Sequence, residues 1–188
     1  MKYTQSVLLS AVMFCSTLPL VHAADGTINF TGRVVDESCI VDTSTSTGNL
    51  TVPLGDVPIS VVNVSGGKSP DTPFSIVLTG CPDNDAQISL SFSGPSNTTN
   101  ASLLAPQAGD SGTVASGVGI AIFDKTSGTA STTPIDVSTS AKSGVVTTDA
   151  NGNATFNFIA NIMNDGSDAS NVKAGDANAS ADITINYQ

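Results

Sequence analysis

The sequence predicts an all-β domain, and three observations carry the prediction. After the first two dozen residues, no stretch sustains apolar residues at i, i+3, i+4 and i+7 over three turns. Short β-branched runs recur instead, separated by Gly, Asn, Asp, Ser and Pro. Several runs also alternate cleanly: Ile88, Leu90 and Phe92 share one face of a segment whose other face is Gln87, Ser89, Ser91 and Ser93. Phe156, Phe158 and Ala160 likewise stand opposite Asn157, Ile159 and Asn161. One apolar and one largely polar face per strand is what two packed antiparallel sheets require.

Taken in order, the expected strands are residues 28–35, 39–42, 49–54, 73–80, 86–93, 118–123, 133–137, 144–147, 154–162 and 181–187. The first alternates through Ile28, Phe30 and Val34, and the last through Ile183, Ile185 and Tyr187, so each end of the chain carries a strand with one face to bury. Both need a partner. The connections 68–72, 94–112 and 124–132 are rich in Ser, Thr, Asn, Gly and Pro and read as exposed loops. With turn signals every eight to twelve residues or so, an immunoglobulin-like sandwich is the leading architecture and a closed barrel the second. No internal repeat of solenoid length is present.

Residues 1–23 read as a secretory signal: Lys2 opens it, an apolar run extends from Val7 to Leu20, and Val21, His22 and Ala23 stand at the cleavage positions. The remaining 165 residues fit one domain with a sizeable core. That mature part holds five basic residues against sixteen acidic ones, a formal charge of −11, which argues against nucleic acid or an anionic membrane as partner. It also keeps two cysteines, Cys39 and Cys81, and in an exported chain such a pair is most simply a disulfide.

The only histidine, His22, leaves with the leader, so Ser-His-Asp, Cys-His and His-bearing zinc chemistry have no residues to use. Glu37 is the only glutamate, and most aspartates sit in turn-like sequence; no enzymatic activity and no cofactor are expected. Asp149, Asn151 and Asn153, and the cluster at 164–168, place oxygen side chains as a calcium loop would. The first set has Ala154 where a calcium-binding hand needs glycine and Ala160 where it needs a bidentate glutamate, so turns explain both and no metal site is assigned.

Several stretches together carry a family resemblance. Residues 26–39 (GTINFTGRVVDESC) are followed in order by 53–57 (PLGDV), 74–81 (FSIVLTGC), 118–124 (VGIAIFD) and 174–188 (AGDANASADITINYQ). In this order and spacing the chain resembles the type 1 fimbrial major pilins, which are assembled by the chaperone-usher route. The resemblance implies an incomplete immunoglobulin-like sandwich that lacks its last strand, leaving a groove beside the C-terminal strand. It divides the chain into a signal peptide (1–23), a donor-strand extension (24–36) and a pilin domain (37–188).

On that reading Ile28, Phe30, Gly32 and Val34 are donor residues that enter a neighbour's groove, with Gly32 allowing close backbone approach. Ile183, Ile185 and Tyr187 form the acceptor strand that lines the groove and binds the chaperone. The implied partners are neighbouring pilin subunits, a periplasmic chaperone and an outer-membrane usher, with a host-surface receptor as a further candidate. The implied location is a fimbrium on the cell surface, and the implied function is a polymerising structural subunit that contributes to adhesion. Two alternatives stand beside it: a minor adaptor pilin, and a self-contained secreted sandwich that binds a glycan.

Overall fold

A computed structural model describes residues 39–42, 50–81, 85–109 and 111–188. The expected leader, the donor-strand extension with Ile28, Phe30, Gly32 and Val34, and Glu37 lie outside the described residues. Among the described residues, seven strands form two antiparallel sheets: β1 (Ile40–Val41), β2 (Thr72–Thr79), β3 (Gln87–Ser93), β4 (Val118–Asp124), β5 (Val146–Thr147), β6 (Ala154–Asn164) and β7 (Asp182–Tyr187). One sheet has the order β1-β2-β6-β4 and the other β5-β3-β7. The fold is thus the expected all-β, immunoglobulin-like sandwich.

The period-2 pattern explains the register. Phe74, Ile76 and Leu78 of β2 pair with Phe158, Phe156 and Ala154 of β6, so one face of this sheet is apolar along both strands. Ile88, Leu90 and Phe92 of β3 present the same kind of face from the second sheet, opposite Tyr187, Ile185 and Ile183 of β7. Phe158 joins the two layers: its ring stacks on Phe74 at 5.4 Å between centroids and meets Phe92 edge-on at 5.1 Å. Such aromatic pairs add about 0.5–1.5 kcal/mol each beyond their burial.

Several expectations change. The connection 94–112 is not simply exposed, because Leu103 is fully buried and packs with Ala121, Phe123 and Ile159 on the outer face of the first sheet. Leu104 then bridges to Ile120, exchanging backbone hydrogen bonds of 2.9 and 3.0 Å that cover the β4 edge. This is why β4 and the second half of β6 are buried on both faces, and why Ile159 and Asn161 are not surface residues. Asn161 donates to the carbonyls of Ser69 and Pro70 and to Asp71, which draws part of the 68–72 connection inward.

Residues 133–137 form no strand, although Ile135 donates its N–H to the Ile122 carbonyl and buries its side chain. The expected strand at 49–54 forms no ladder among the described residues, and Pro53, which has no N–H, removes a donor from its middle. Two short helical turns break the all-strand pattern: α1 (Ile59–Val62) and a 3₁₀ turn at Ala169–Asn171. Both are too short to show the periodicity by which helices are read from sequence.

Candidate strand-accepting groove

The sandwich is open along one side. A groove of about 1050 Å³ runs between residues 50–57 on one lip and residues 173–183 on the other. Its floor is core rather than surface: Phe74 and Ile76 of β2, Phe92 of β3, Ile120 of β4, and Ala160 and Ile162 of β6 all line it. Both sheets contribute, so the groove is the gap a further strand would close.

The lips differ in how they are held. Residues 51–57 make no backbone–backbone hydrogen bond to another described residue; Val52, Leu54 and Val57 are half-buried, and Leu54 and Val57 pack against buried core residues. The opposite lip ends in β7, which is paired with β3 along one edge only; among the described strands nothing pairs with its other edge. A strand with one edge unpaired presents a row of free N–H and C=O groups, which is a template for an added strand.

The predicted acceptor residues take three positions. Ile183 lines the groove and packs against the main core cluster. Ile185 packs against the same cluster but is not among the residues lining the groove. Both are half-buried, whereas the residues they face across the β3 ladder, Phe92 and Leu90, are 3 % and 0 % exposed. Tyr187 is 40 % exposed, and its hydroxyl oxygen accepts a 2.7 Å hydrogen bond from the Cys39 N–H. It ties the end of β7 to the residue before β1.

Cys39 and Cys81 form a disulfide across 42 positions of sequence, with Cα atoms 4.1 Å apart. The bridge joins the residue before β1 to the second residue after β2, and Cys81 also donates its N–H to the Gly152 carbonyl at 3.0 Å. It therefore anchors a first strand of only two residues.

The charged side chains are used locally. Asp149, raised above as a calcium ligand, accepts the N–H groups of Asn151 and Asn153 at 2.8 Å each, and these bonds lower its pKa, Asn153 first. Asp136 is lowered chiefly by the Ser138 hydroxyl, and Asp71 by the Lys68 ammonium and then by Asn161. Asp176, on the groove lip, is lowered first by the Ser111 hydroxyl and then by the Gly109 N–H. No three His, Cys, Asp or Glu side chains are grouped to hold a metal ion among the described residues.

Reading the sequence missed the 50–57 lip, the 173–181 rim and the floor residues Phe74, Ile76 and Ile120. The signal for the first lay in Pro53 and Pro58, which mark an extended segment unable to form a full ladder. Floor residues carry no signal of their own, because an apolar residue under a groove has the same pattern as one under a covering strand.

The described residues thus form an immunoglobulin-like sandwich with a core-lined groove beside a strand edge that no other described strand pairs with, the architecture of a structural module. The sequence is matched by the family model described as "Fimbrial protein" over residues 28–188. The chain therefore belongs to the fimbrial protein family and is a structural pilin. It is 38 % identical over 186 residues, 96 % of each chain, to a type-1 fimbrial protein subunit of Serratia marcescens. Its fold is similar to that of the P pilus rod subunit PapA (TM-score 0.60, 17 % identity, 81 % of this chain and 100 % of that one). A subunit in the structure of a chaperone-usher pilus is similar in fold as well (TM-score 0.57, 20 % identity, 91 % and 100 % of the two chains).

Proposed function

We propose that this pilin polymerises into a chaperone-usher fimbria by donor-strand exchange and contributes there to cell adhesion. The observation that carries the reading is the edge of β7 that no described strand pairs with, beside a groove whose floor is the hydrophobic core. An added strand supplies main-chain hydrogen bonds along that edge and apolar side chains for the groove, the mode of recognition called β-strand addition. The donor is the 24–36 extension of a neighbouring subunit, with Ile28, Phe30 and Val34 entering the groove and Gly32 admitting close backbone contact. Each of those three apolar side chains contributes ~1.5–3 kcal/mol on burial, before ordering costs.

Because the donor lies at one end of the chain and the acceptor groove on the domain, the contact is heterologous. Repeated head to tail it extends into a filament instead of closing. Before assembly, an exported subunit with an open groove exposes core and strand edge together, a hazard that a periplasmic chaperone relieves by lending a strand and that an outer-membrane usher ends by exchanging it. Residues 1–23 serve as the export signal in this scheme.

The test is removal of residues 24–35 from the full chain after the leader. The truncated pilin is expected to bind its chaperone and to form no filaments by electron microscopy. Filaments of normal length from the truncated chain would refute the donor assignment.

A further inference from the structure

The rim that precedes β7 is held by backbone hydrogen bonds and, at its centre, by one carboxylate. Residues 173–178 belong to neither sheet, and their sequence, KAGDAN, has no preference for an extended strand. Yet they lie against residues 107–109 and 111–116 through a series of backbone hydrogen bonds: Gln107 N–H to Asn178 O at 2.7 Å, Asp176 N–H to Thr113 O at 2.6 Å and Ala115 N–H to Asp176 O at 2.9 Å. Ser116 and Lys173 exchange a further pair at 3.3 and 3.1 Å. At the centre, one oxygen of the Asp176 carboxylate accepts three hydrogen bonds, from Gly109 N–H (2.8 Å), Ser111 N–H (3.1 Å) and the Ser111 hydroxyl (2.6 Å). The backbones approach so closely that a Cβ on Gly175 would fall 2.6 Å from Ala115 N and Thr113 O.

The same segment lines the groove, so whatever fixes it shapes the acceptor. We infer that Asp176 is a positioning residue of the acceptor groove: its carboxylate clasps Gly109 and Ser111 to residues 173–178 and holds the rim in place as a continuation of the β7 edge. The inference rests on the strand-accepting reading of the groove. β7 itself offers six residues, and a donor longer than that meets a rim already placed instead of one it must order on arrival. A carboxylate suits this task because it accepts several charge-assisted hydrogen bonds at once, which an amide or hydroxyl does more weakly.

The experiment compares Asp176→Ala, Ser111→Ala and Asn161→Ala in the full chain. Asn161 is a buried polar residue on the outer face of the first sheet and serves as the control for general destabilisation. Two quantities are read: hydrogen exchange of the Ala115 amide, which bonds across the clasp to the backbone carbonyl of residue 176, and uptake of a fluorescent peptide of residues 24–36. Asp176→Ala is expected to speed exchange at Ala115 and slow peptide uptake by about tenfold, the scale set by losing hydrogen bonds to a charged acceptor. Ser111→Ala is expected to do both to a smaller extent, with β3 amides unchanged, and it carries the test if Asp176→Ala prevents folding. Faster exchange with unchanged uptake would overturn the proposal, as would equal slowing by Asn161→Ala. If the unaltered chain takes up no peptide, the strand-accepting reading itself falls and the rim's role with it.

Discussion

Replacing both Cys39 and Cys81 by serine removes the one covalent tie in the described domain without leaving a free thiol. The bridge closes a loop across 42 sequence positions, for which the chain-entropy account gives about 4 kcal/mol of stabilisation. That is a large share of the roughly 5–15 kcal/mol that separates folded from unfolded domains. The structure says where the loss should be felt: β1 has two residues, registered as Ile40 with Thr79 and Val41 with Leu78, and the bridge sits on the residue directly before it. The Cys39 N–H to Tyr187 hydroxyl bond goes with it when β1 detaches, linking the disulfide to the end of β7.

The assay is urea unfolding of the oxidised chain and the double serine variant, followed by fluorescence and circular dichroism. With a slope of about 2 kcal/mol per molar urea for a domain of this size, the midpoint should fall by about 2 M. Tyr187→Phe, which deletes only the hydroxyl, should cost about 1 kcal/mol, or roughly 0.5 M. A double variant whose midpoint moves by less than about 0.5 M at an unchanged slope would refute the argument, since the bridge would then be tying together segments already held by other contacts.

Leu103→Ala empties a site with no exposure at all, next to Gly119, whose added Cβ would stand 2.7 Å from that of Leu103; a loss of about 2–5 kcal/mol is expected, seen as a fall of about 10 °C in the thermal midpoint, while exposed Val145→Ala stays within about 0.5 kcal/mol. Asp71, Asp136, Asp149 and Asp176 all have pKa values held below the ordinary aspartate value of 3.8. Because the folded-state values are the depressed ones, their stabilisation is present above the unfolded value and is lost as pH falls through the folded one. Thermal scans should therefore show a decline beginning below about pH 4, and a midpoint that rises on acidification through that range would contradict the assignment.

How much was legible can be seen strand by strand. Residues 73–80, 86–93, 118–123, 154–162 and 181–187 each became a strand within a residue or two of the expected bounds, because each carries its own apolar face or β-branched run. Residues 50–54 of the expected strand 49–54 pair with no other described strand, and Pro53 takes a donor away from any ladder there. Loop 94–112 was misread for the opposite reason: its polar composition describes most of its residues but not Leu103 and Leu104, which cover β4. A loop's average says nothing about two buried residues inside it.

The sequence by itself determined the all-β class, the pairing of Cys39 with Cys81, the absence of histidine after residue 22 and the faces of the long strands, because each depends on residue identity or on a period of two. Only the tertiary structure decided that one edge of β7 has no partner among the described strands, that Phe74, Ile76 and Ile120 floor a groove that no described strand covers, and that Asp176 reaches across to Gly109 and Ser111. Alternation records that a side chain wants burial. Which element buries it, and whether any element of the same domain does, is set by how the two sheets stack.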